Sequence, residues 1–258
     1  MIKFGKIYGD KKLEEKIKVV VSGCNGRMGK IVLEEIKSRE DMVVVSGLSR
    51  EESFINNLKV YAYEKFNLEH DIIIDFSHKD NLDNILKIAD EYNSKLVICT
   101  TGYSKSQLEK IEKFAINHAV FLSSNTSVGV NLLLKISKIA KDILGKSFDI
   151  EIIEKHHNRK VDAPSGTALT IAKELCDENT KLIFDRSKEG HARSKNEIGI
   201  HSVRGGNIKG EHEVLFISDD EILTIKHSAY SRSIFAKGAL DAAKFIVDKK
   251  QGLYKKII

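Results

Sequence analysis

The sequence is poor in several residue types, and each shortage excludes a class of protein. Its 258 residues include one proline, no tryptophan and three cysteines. Cys24, Cys99 and Cys176 are isolated and form no Cys-x-x-Cys pair, which excludes a disulfide framework and a cysteine zinc site. The single proline and the absence of low-complexity runs argue against long disordered linkers. Together these absences predict a compact protein of the reducing cytoplasm.

Long apolar runs are also missing, and neither charge sign dominates. No stretch approaches the ~20 apolar residues of a membrane span, and residues 1–16 lack the apolar core of a signal peptide. We therefore expect no membrane anchor and treat residues 1–16 as an N-terminal arm without an assigned role. Lys and Arg number 42 against 37 Asp and Glu, and they are interleaved with the acids. This pattern favours a small anionic ligand over nucleic acid.

The first half of the chain alternates strands and helices. Short β-branched and apolar runs predict buried parallel strands, with helical apolar periodicity between them. The predicted strands cover residues 17–22, 42–48, 71–76, 95–99 and 120–123. Such βαβα alternation predicts a Rossmann-like, doubly wound parallel sheet, which binds ligands beyond the carboxyl ends of its strands. Polar residues at those ends are expected to border one crevice: Ser77, Thr100, Thr101 and residues 123–127.

A glycine turn follows the first strand. Gly23, Gly26 and Gly29 stand in a Gly-x-x-Gly-x-x-Gly spacing, a variant of the dinucleotide fingerprint. Glycines permit a tight turn and a close backbone approach to a pyrophosphate at the helix start. A purely structural strand-to-helix turn is an equally good interpretation of the glycines alone. At the end of the second strand Arg50 favours a 2′-phosphate, and hence NADPH, whereas Glu51 keeps NADH open.

The second half follows a different pattern. A long amphipathic helix beginning near Val128 precedes strands predicted at 148–153, 197–203, 211–217 and 221–227. Strands in succession predict an antiparallel or mixed sheet in a smaller α+β domain. A last helix at 233–248 is expected to pack back on the first domain. We therefore predict a dinucleotide-binding domain of residues 1–127 and 233–258, and a substrate-binding domain of residues 128–232.

The densest polar stretch of the chain runs from Glu154 to Ala168. Ser165 is expected to cap a helix whose first N–H groups, at Gly166 and Thr167, bind an anion. Metal binding by the adjacent histidines is disfavoured, because no acidic or cysteine ligand stands at a suitable spacing. A histidine proton donor, the Lys160 ammonium and a helix N-terminus together predict a site for a carboxylate substrate. Asp162 is interpreted as a turn residue, not a general base.

The run from His156 to Ala168 resembles the signature of the dihydrodipicolinate reductase (4-hydroxy-tetrahydrodipicolinate reductase) family. Further similar segments are 23–29, 75–77, 100–102, 125–131, 204–208 and 210–212, so the likeness extends from about Ile17 to the C-terminus. It implies an NAD(P)H-dependent oxidoreductase of diaminopimelate and lysine biosynthesis that reduces a small cyclic dianion. It also implies a pyridine-nucleotide domain and a substrate domain whose open mixed sheet forms the core of a cytoplasmic homotetramer.

The resemblance also implies roles for individual residues. His156 would be the proton donor and Lys160 the catalytic cation, with His157, Gly166 and Thr167 holding the substrate carboxylates. NADPH or NADH would lie along Gly23, Cys24, Asn25, Gly26, Arg27, Met28, Arg50, Cys99, Thr100, Thr101, Ser123, Ser124, Asn125 and Thr126.

Three positions depart from the family pattern. Ser49 stands where an acidic ribose ligand is frequent, Cys99 where glycine is usual, and Thr126 where an aromatic lies near the nicotinamide. The alternatives are another two-domain Rossmann dehydrogenase of a small acid, which the run from His156 to Thr167 disfavours, and a non-catalytic dinucleotide sensor. A sensor would have no need for His156 and Lys160 beside a carboxylate-binding helix start.

Overall fold

A computed structural model describes residues 16–255; most of the predicted N-terminal arm and the last three residues lie outside the described part. The first part of the chain forms, in order, β1 (Ile17–Ser22), α1 (Arg27–Ile36), β2 (Met42–Ser49), β3 (Ser53–Ile55), β4 (Leu58–Ala62), β5 (Ile72–Asp75), α2 (Leu82–Glu91), β6 (Lys95–Ile98), α3 (Lys105–Phe114) and β7 (Ala119–Leu122). The remainder forms α4 (Val128–Leu144), β8 (Asp149–His156), α5 (Gly166–Leu175), β9 (Lys181–Ile183), β10 (Glu197–Arg204), β11 (Glu211–Ile217), β12 (Ile222–Ser228), α6 (Ser233–Ile246) and β13 (Gly252–Tyr254).

The first sheet has the strand order β13-β7-β6-β5-β1-β2-β4-β3. All its strands pair in parallel except β3, which pairs antiparallel with β4. Helices cover both faces of the sheet, so central strands such as β5 are buried along their whole length. This is the Rossmann-like doubly wound sheet that the alternation of apolar runs predicts.

The second sheet is mixed, with the order β12-β11-β8-β10-β9. Strand β8 pairs in parallel with β10 and antiparallel with β11. One face packs on α4 and α5 through a core that includes Ile152, Ile171 and Phe216. On the other face, no helix of residues 16–255 joins that core, and the side chains are a mixture of charged and apolar ones, such as Glu151, Ile153 and Leu215. The open mixed sheet expected from the sequence is therefore present.

Helix α6 carries the chain back to the first sheet. Its alanine-rich face, which includes Ala236, Ala239 and Ala243, is completely buried in the core beneath that sheet. Gly238 approaches the carbonyl of Thr126 so closely that a β-carbon there would collide with it. The small residues thus let α6 press against the loop that follows β7, and this contact fixes the shape of the loop.

Four short strands, β3, β4, β9 and β13, were not predicted. Residues 56 and 57 form a two-residue turn between β3 and β4, and Asn56 has a positive φ of 54°. Asparagine tolerates this conformation and is typical of tight hairpin turns. Strands β3, β9 and β13 have three residues each, too few to display a periodicity of two. Within residues 16–255, no helix combines the length and apolar character needed to cross a membrane.

Candidate active site

The glycine turn between β1 and α1 leaves a helix start without side-chain partners. Gly23 has a φ of 75°, and a β-carbon at this position would lie 2.7 Å from the carbonyl oxygen of Phe76. Gly29 contacts the backbone of Gly23, where a β-carbon would collide. Gly26 is the N-cap of α1 and provides no side-chain hydrogen bond. The first N–H groups of α1 are therefore suited to a pyrophosphate.

A cleft of about 280 Å³ lies at the carboxyl ends of the parallel strands. Its lining includes seven of the predicted site residues: Met28, Cys99, Ser123, Ser124, Asn125, Thr126 and Thr167. Three further lining residues, Phe76, Arg232 and Phe235, were not predicted. The cleft thus combines the start of α1, three strand ends and the start of α5 in one place, with a volume and lining that fit the reactive end of a dinucleotide.

Several predicted cofactor residues do not present their side chains to this cleft. Cys24 is buried in the core beneath α1, and burial raises the pKa of its thiol to about 11. Only the backbone of Cys24 can therefore meet a phosphate. Thr100 is also buried, whereas Thr101 lies at the surface. Thr126 does line the cleft, but its hydroxyl donates to the Phe235 carbonyl at 2.6 Å and so binds α6.

The side chains at the end of β2 lie beside the glycine turn, as the ribose-binding prediction requires. The Asn25 amide donates to Ser49 Oγ at 3.3 Å and to Ser53 Oγ at 3.4 Å. Asn25, Gly26, Arg27 and Arg50 are exposed around this turn. A ribose bound here would meet hydroxyl, amide and guanidinium groups. Residue 49 is a serine, so it supplies no carboxylate.

On the substrate side, His156 ends β8 next to a buried ion pair. Its Nδ1 lies 2.5 Å from Glu154 Oε2. The Glu154 side chain is completely buried and accepts two hydrogen bonds from the Arg204 guanidinium, at 2.6 and 2.8 Å, and one from the Ser165 N–H at 3.1 Å. Burial alone would raise the pKa of the Glu154 carboxyl, but the bonds from His156 and Arg204 outweigh it and hold this pKa well below its usual range.

His212 on β11 lies behind His156. The two rings meet edge to face with their centroids 5.3 Å apart, and His212 Nε2 lies 3.0 Å from Ser165 Oγ. Burial, reinforced by the charge of His156, lowers the pKa of His212 to about 3. His212 is therefore a neutral ring at physiological pH, in contact with the cap of α5.

Helix α5 begins as the sequence predicts. Ser165 Oγ accepts a hydrogen bond from the Ala168 N–H at 3.2 Å, which leaves the earlier N–H groups at Gly166 and Thr167 pointing out of the helix end. Gly166 is exposed. Thr167 Oγ1 accepts from the Asn125 amide at 3.0 Å. This hydrogen bond connects the start of α5 with the loop after β7 that lines the cleft.

His157, Lys160 and Asp162 lie in the segment between β8 and that helix start. Lys160 Nζ lies 2.7 Å from both carboxylate oxygens of Asp162, and this hydrogen bond lowers the pKa of Asp162. Burial lowers the pKa of His157, helped by the charges of Arg159 and Arg232, and His157 Nδ1 is buried without a hydrogen-bond partner. A buried, unpartnered polar atom beside positive charge is suited to an anionic ligand.

Sequence reasoning missed Glu154, Arg204, His212 and Arg232 as parts of the site. Glu154 and Arg204 stand 50 residues apart and meet only because β8 and β10 are neighbours in the second sheet. Two positions before His156 on an extended strand, Glu154 shares its face, and this spacing was the one available signal. Arg232 directly precedes α6 and reaches the cleft because α6 returns to it. The sequence before Arg232 gives no sign of this contact.

A doubly wound sheet with a glycine turn, a cleft at its carboxyl edge and a cationic helix start beside that cleft define a pyridine-nucleotide-dependent oxidoreductase of small carboxylates. Family models sharpen this class: the model of the dihydrodipicolinate reductase N-terminus matches residues 17–126, and that of the C-terminus matches residues 129–257. The chain belongs to the dihydrodipicolinate reductase family.

Individual relatives agree with this assignment. The 4-hydroxy-tetrahydrodipicolinate reductase of Clostridium novyi is 43% identical over 92% of this chain and 95% of its own length. The reductase of the same name from Brachyspira hyodysenteriae is 44% identical over 93% and 97%. Among solved structures, the dipicolinate-bound dihydrodipicolinate reductase of Paenisporosarcina sp. TG-14 has a TM-score of 0.75 and 25% identity, covering 93% of this chain and 98% of that one.

Proposed function

We propose that the protein reduces 4-hydroxy-tetrahydrodipicolinate, via dihydrodipicolinate, to tetrahydrodipicolinate in diaminopimelate and lysine biosynthesis, with NADPH or NADH as reductant. The observation that carries the proposal is the Asn125–Thr167 hydrogen bond, which joins the dinucleotide cleft to the anion-binding start of α5. The 4-hydroxy-tetrahydrodipicolinate reductases at 43% and 44% identity support the reaction. The dipicolinate-bound relative supports a small dianionic substrate.

Different groups of residues bind the cofactor, bind the substrate and supply the proton. The N–H groups at the glycine turn and at the start of α1 hold the pyrophosphate, and Met28 with residues 123–126 enclose the reactive end of the cofactor. When bound, the reduced nicotinamide supplies hydride. The remaining assignments concern substrate charge and the proton.

Substrate carboxylates are held by the N–H groups of Gly166 and Thr167, by His157 and by the Lys160 ammonium. Negative charge develops on the conjugated imine as it is reduced, so a fixed ammonium stabilises the transition state more than the ground state. His156 donates the proton from Nε2, because Nδ1 is already engaged by Glu154. The guanidinium of Arg232, which lines the cleft beside Thr167, adds to the positive potential.

The proposal includes the organisation of the molecule. Residues 1–127 and 233–258 form the dinucleotide-binding domain, and residues 128–232 form the substrate-binding domain. The open face of the second sheet joins four copies into a homotetramer; its apolar side chains, among them Ile153, Leu215 and Ile222, support an interface there. Three free cysteines support a cytoplasmic location.

The test supplies the purified protein with substrate generated in situ by the upstream synthase and follows the loss of reduced-nicotinamide absorbance. We expect synthase-dependent oxidation of NADPH, NADH or both. His156→Ala should lower turnover ~100-fold or more, the range typical of a lost acid catalyst, while nucleotide binding persists. Absence of oxidation with both cofactors, in a folded protein that binds them, would reject the function.

A further inference from the structure

Glu154 is the most completely engaged carboxylate at the site. Its side chain is fully buried, and its two oxygens accept four hydrogen bonds, from His156, from both terminal nitrogens of Arg204 and from the Ser165 N–H. Those donors come from β8, from β10 and from the cap of α5. No other donor is needed to satisfy this carboxylate, so the group is fixed in place from three sides.

The contact between Glu154 and His156 determines which imidazole nitrogen carries the proton of a neutral ring. An ionised carboxylate only accepts hydrogen bonds, so a nitrogen at 2.5 Å from it must be a donor. His156 Nδ1 is therefore protonated, and Nε2 is left for exchange with a ligand. On that side stands Gly210, where even a β-carbon would lie only 3.1 Å from Nε2. The chain thus keeps bulk away from Nε2.

We propose that Glu154 is a positioning residue for the reduction: it holds the His156 ring in one orientation and keeps Nδ1 protonated, so that the imidazolium transfers its second proton from Nε2 to the substrate and becomes the neutral Nδ1–H ring. This inference rests on the proposed function, in which His156 is the donor. Arg204 connects this arrangement to a further segment, because its Nη2 also donates a hydrogen bond to the Asp162 carbonyl at 2.7 Å. Through Arg204, Glu154 is linked to the turn that carries Lys160.

Substitution of Glu154 by glutamine tests the proposal, because the NH₂ group of the amide must occupy one of two positions. In Glu154→Gln the side-chain amide would replace one carboxylate oxygen by NH₂. Placing NH₂ at the Oε1 position would oppose the donors Arg204 Nη2 and the Ser165 N–H, which cannot reverse. Placing it at the Oε2 position opposes Arg204 Nη1 and His156, and the histidine can change tautomer. Glu154→Gln should therefore move the proton of the neutral ring from Nδ1 to Nε2.

Two readouts separate positioning from mere structural support. Nuclear magnetic resonance of protein labelled with ¹⁵N-histidine, at alkaline pH where the rings are neutral, identifies the protonated nitrogen; His156→Ala assigns the signal. We expect Nδ1–H in the wild type and Nε2–H in Glu154→Gln. We also expect kcat to fall ~100-fold in Glu154→Gln with substrate KM within about threefold, as when an outer hydrogen-bond partner of a functional histidine is lost.

Glu151→Gln is the matched control. Glu151 lies on the same strand and also bonds a histidine and arginines, with His201 Nε2 at 2.7 Å and Arg193 Nε at 3.1 Å, but it faces the open side of the sheet. This variant should keep kcat and the His156 signal. Glu154→Asp, which retains the charge, should recover part of kcat.

Either an Nε2–H tautomer in the wild type or a folded Glu154→Gln variant with unchanged kcat would overturn the positioning role. If Glu154→Gln does not fold, the wild-type tautomer and the Glu154→Asp kinetics decide. Inactivity of the wild type towards the substrate would instead reject the proposed function, and the tautomer measurement does not depend on that activity.

Discussion

The Lys160 ammonium forms hydrogen bonds with Asp162 in the structure, and it is also proposed to bind the negative charge of the substrate. The Lys160 side chain is 20% exposed, so the ammonium can exchange part of its contact with Asp162 for a ligand carboxylate. We predict that Lys160→Ala lowers kcat/KM ~100-fold or more, because a fixed charge is lost where negative charge develops. Steady-state kinetics and nucleotide titration measure this.

Nucleotide affinity should stay within about twofold in Lys160→Ala, since the ammonium does not line the cleft. Lys173→Ala, an exposed lysine in the last turn of α5, is the control and should behave as wild type. An equal loss of kcat/KM in both variants would contradict a specific role for Lys160.

We expect the choice between NADPH and NADH to depend on Arg50. It is exposed directly after β2, next to Ser49, which the Asn25 amide contacts beside the glycine turn. A guanidinium pairs with a 2′-phosphate but has little to gain from a 2′-hydroxyl, so Arg50→Ala should weaken NADPH ~10-fold and NADH less than twofold. Binding titrations with each nucleotide measure the difference. Equal weakening of the two would remove the argument for NADPH.

At the scale of the element, a single hydroxyl at the start of α5, that of Ser165, makes two stabilising contacts. Ser165 Oγ caps the helix and also contacts His212 Nε2. Ser165→Ala should therefore lower the free energy of unfolding by roughly 2–3 kcal/mol, about 1 for the cap and the rest for a buried ring nitrogen left without its partner. Urea denaturation measures the loss.

Ser127→Ala provides the comparison for this prediction. Ser127 is equally buried and caps α4 through the Val130 N–H at 3.3 Å, and the hydroxyl has no histidine partner among its described contacts. This variant should lose only about 1 kcal/mol. If the two serines cost the same, the contact with His212 contributes nothing to stability.

Elements with strong local patterns were predictable, and the contacts between them were not. The apolar run of β5 and the Ser165 cap are confirmed, because each depends on residues a few positions apart. The Glu154–Arg204 pair depends on which strands are neighbours, which no local pattern encodes. The same is true of Phe235 and Arg232, which reach the cleft through the return of α6.

At the scale of the whole molecule, His212 makes stability depend on pH. Its pKa is about 3 in the folded protein, mainly through burial, against an ordinary value of 6.5. Below about pH 6.5 the unfolded chain therefore binds a proton that the folded protein refuses, so stability falls as the pH drops towards 3. The contribution reaches about 2 kcal/mol at about pH 5.

His212→Gln should flatten this decline, measured as melting temperature between about pH 7 and about pH 4, although the variant is less stable at neutral pH. His191→Gln, which changes an imidazole that is half exposed, should keep the wild-type pH dependence. A His212→Gln profile parallel to the wild type would exclude His212 as the source.

Assembly is the second property of the whole molecule that can be tested. Leu215 and Ile222 face the open side of the second sheet, where Ile222 is 60% exposed. If four copies join through this face, Leu215→Glu or Ile222→Glu should reduce the particle mass measured by light scattering, because each copy would bury an unpaired charge. Ile116→Glu, at a 67% exposed position on the first domain, should leave the mass unchanged. A wild-type monomer would contradict the tetramer.

The return of α6 and β13 to the first sheet has a consequence for biosynthesis. Strand β7 pairs with β6 on one side, and only residues 233–254 supply its outer parallel neighbour, β13, and the alanine-rich helix that covers one sheet face. The ribosome makes these residues after the entire second sheet, so part of the first sheet is still uncovered when all strands of the second sheet have been made. We therefore expect the first sheet to be completed after the second, although it begins earlier in the chain.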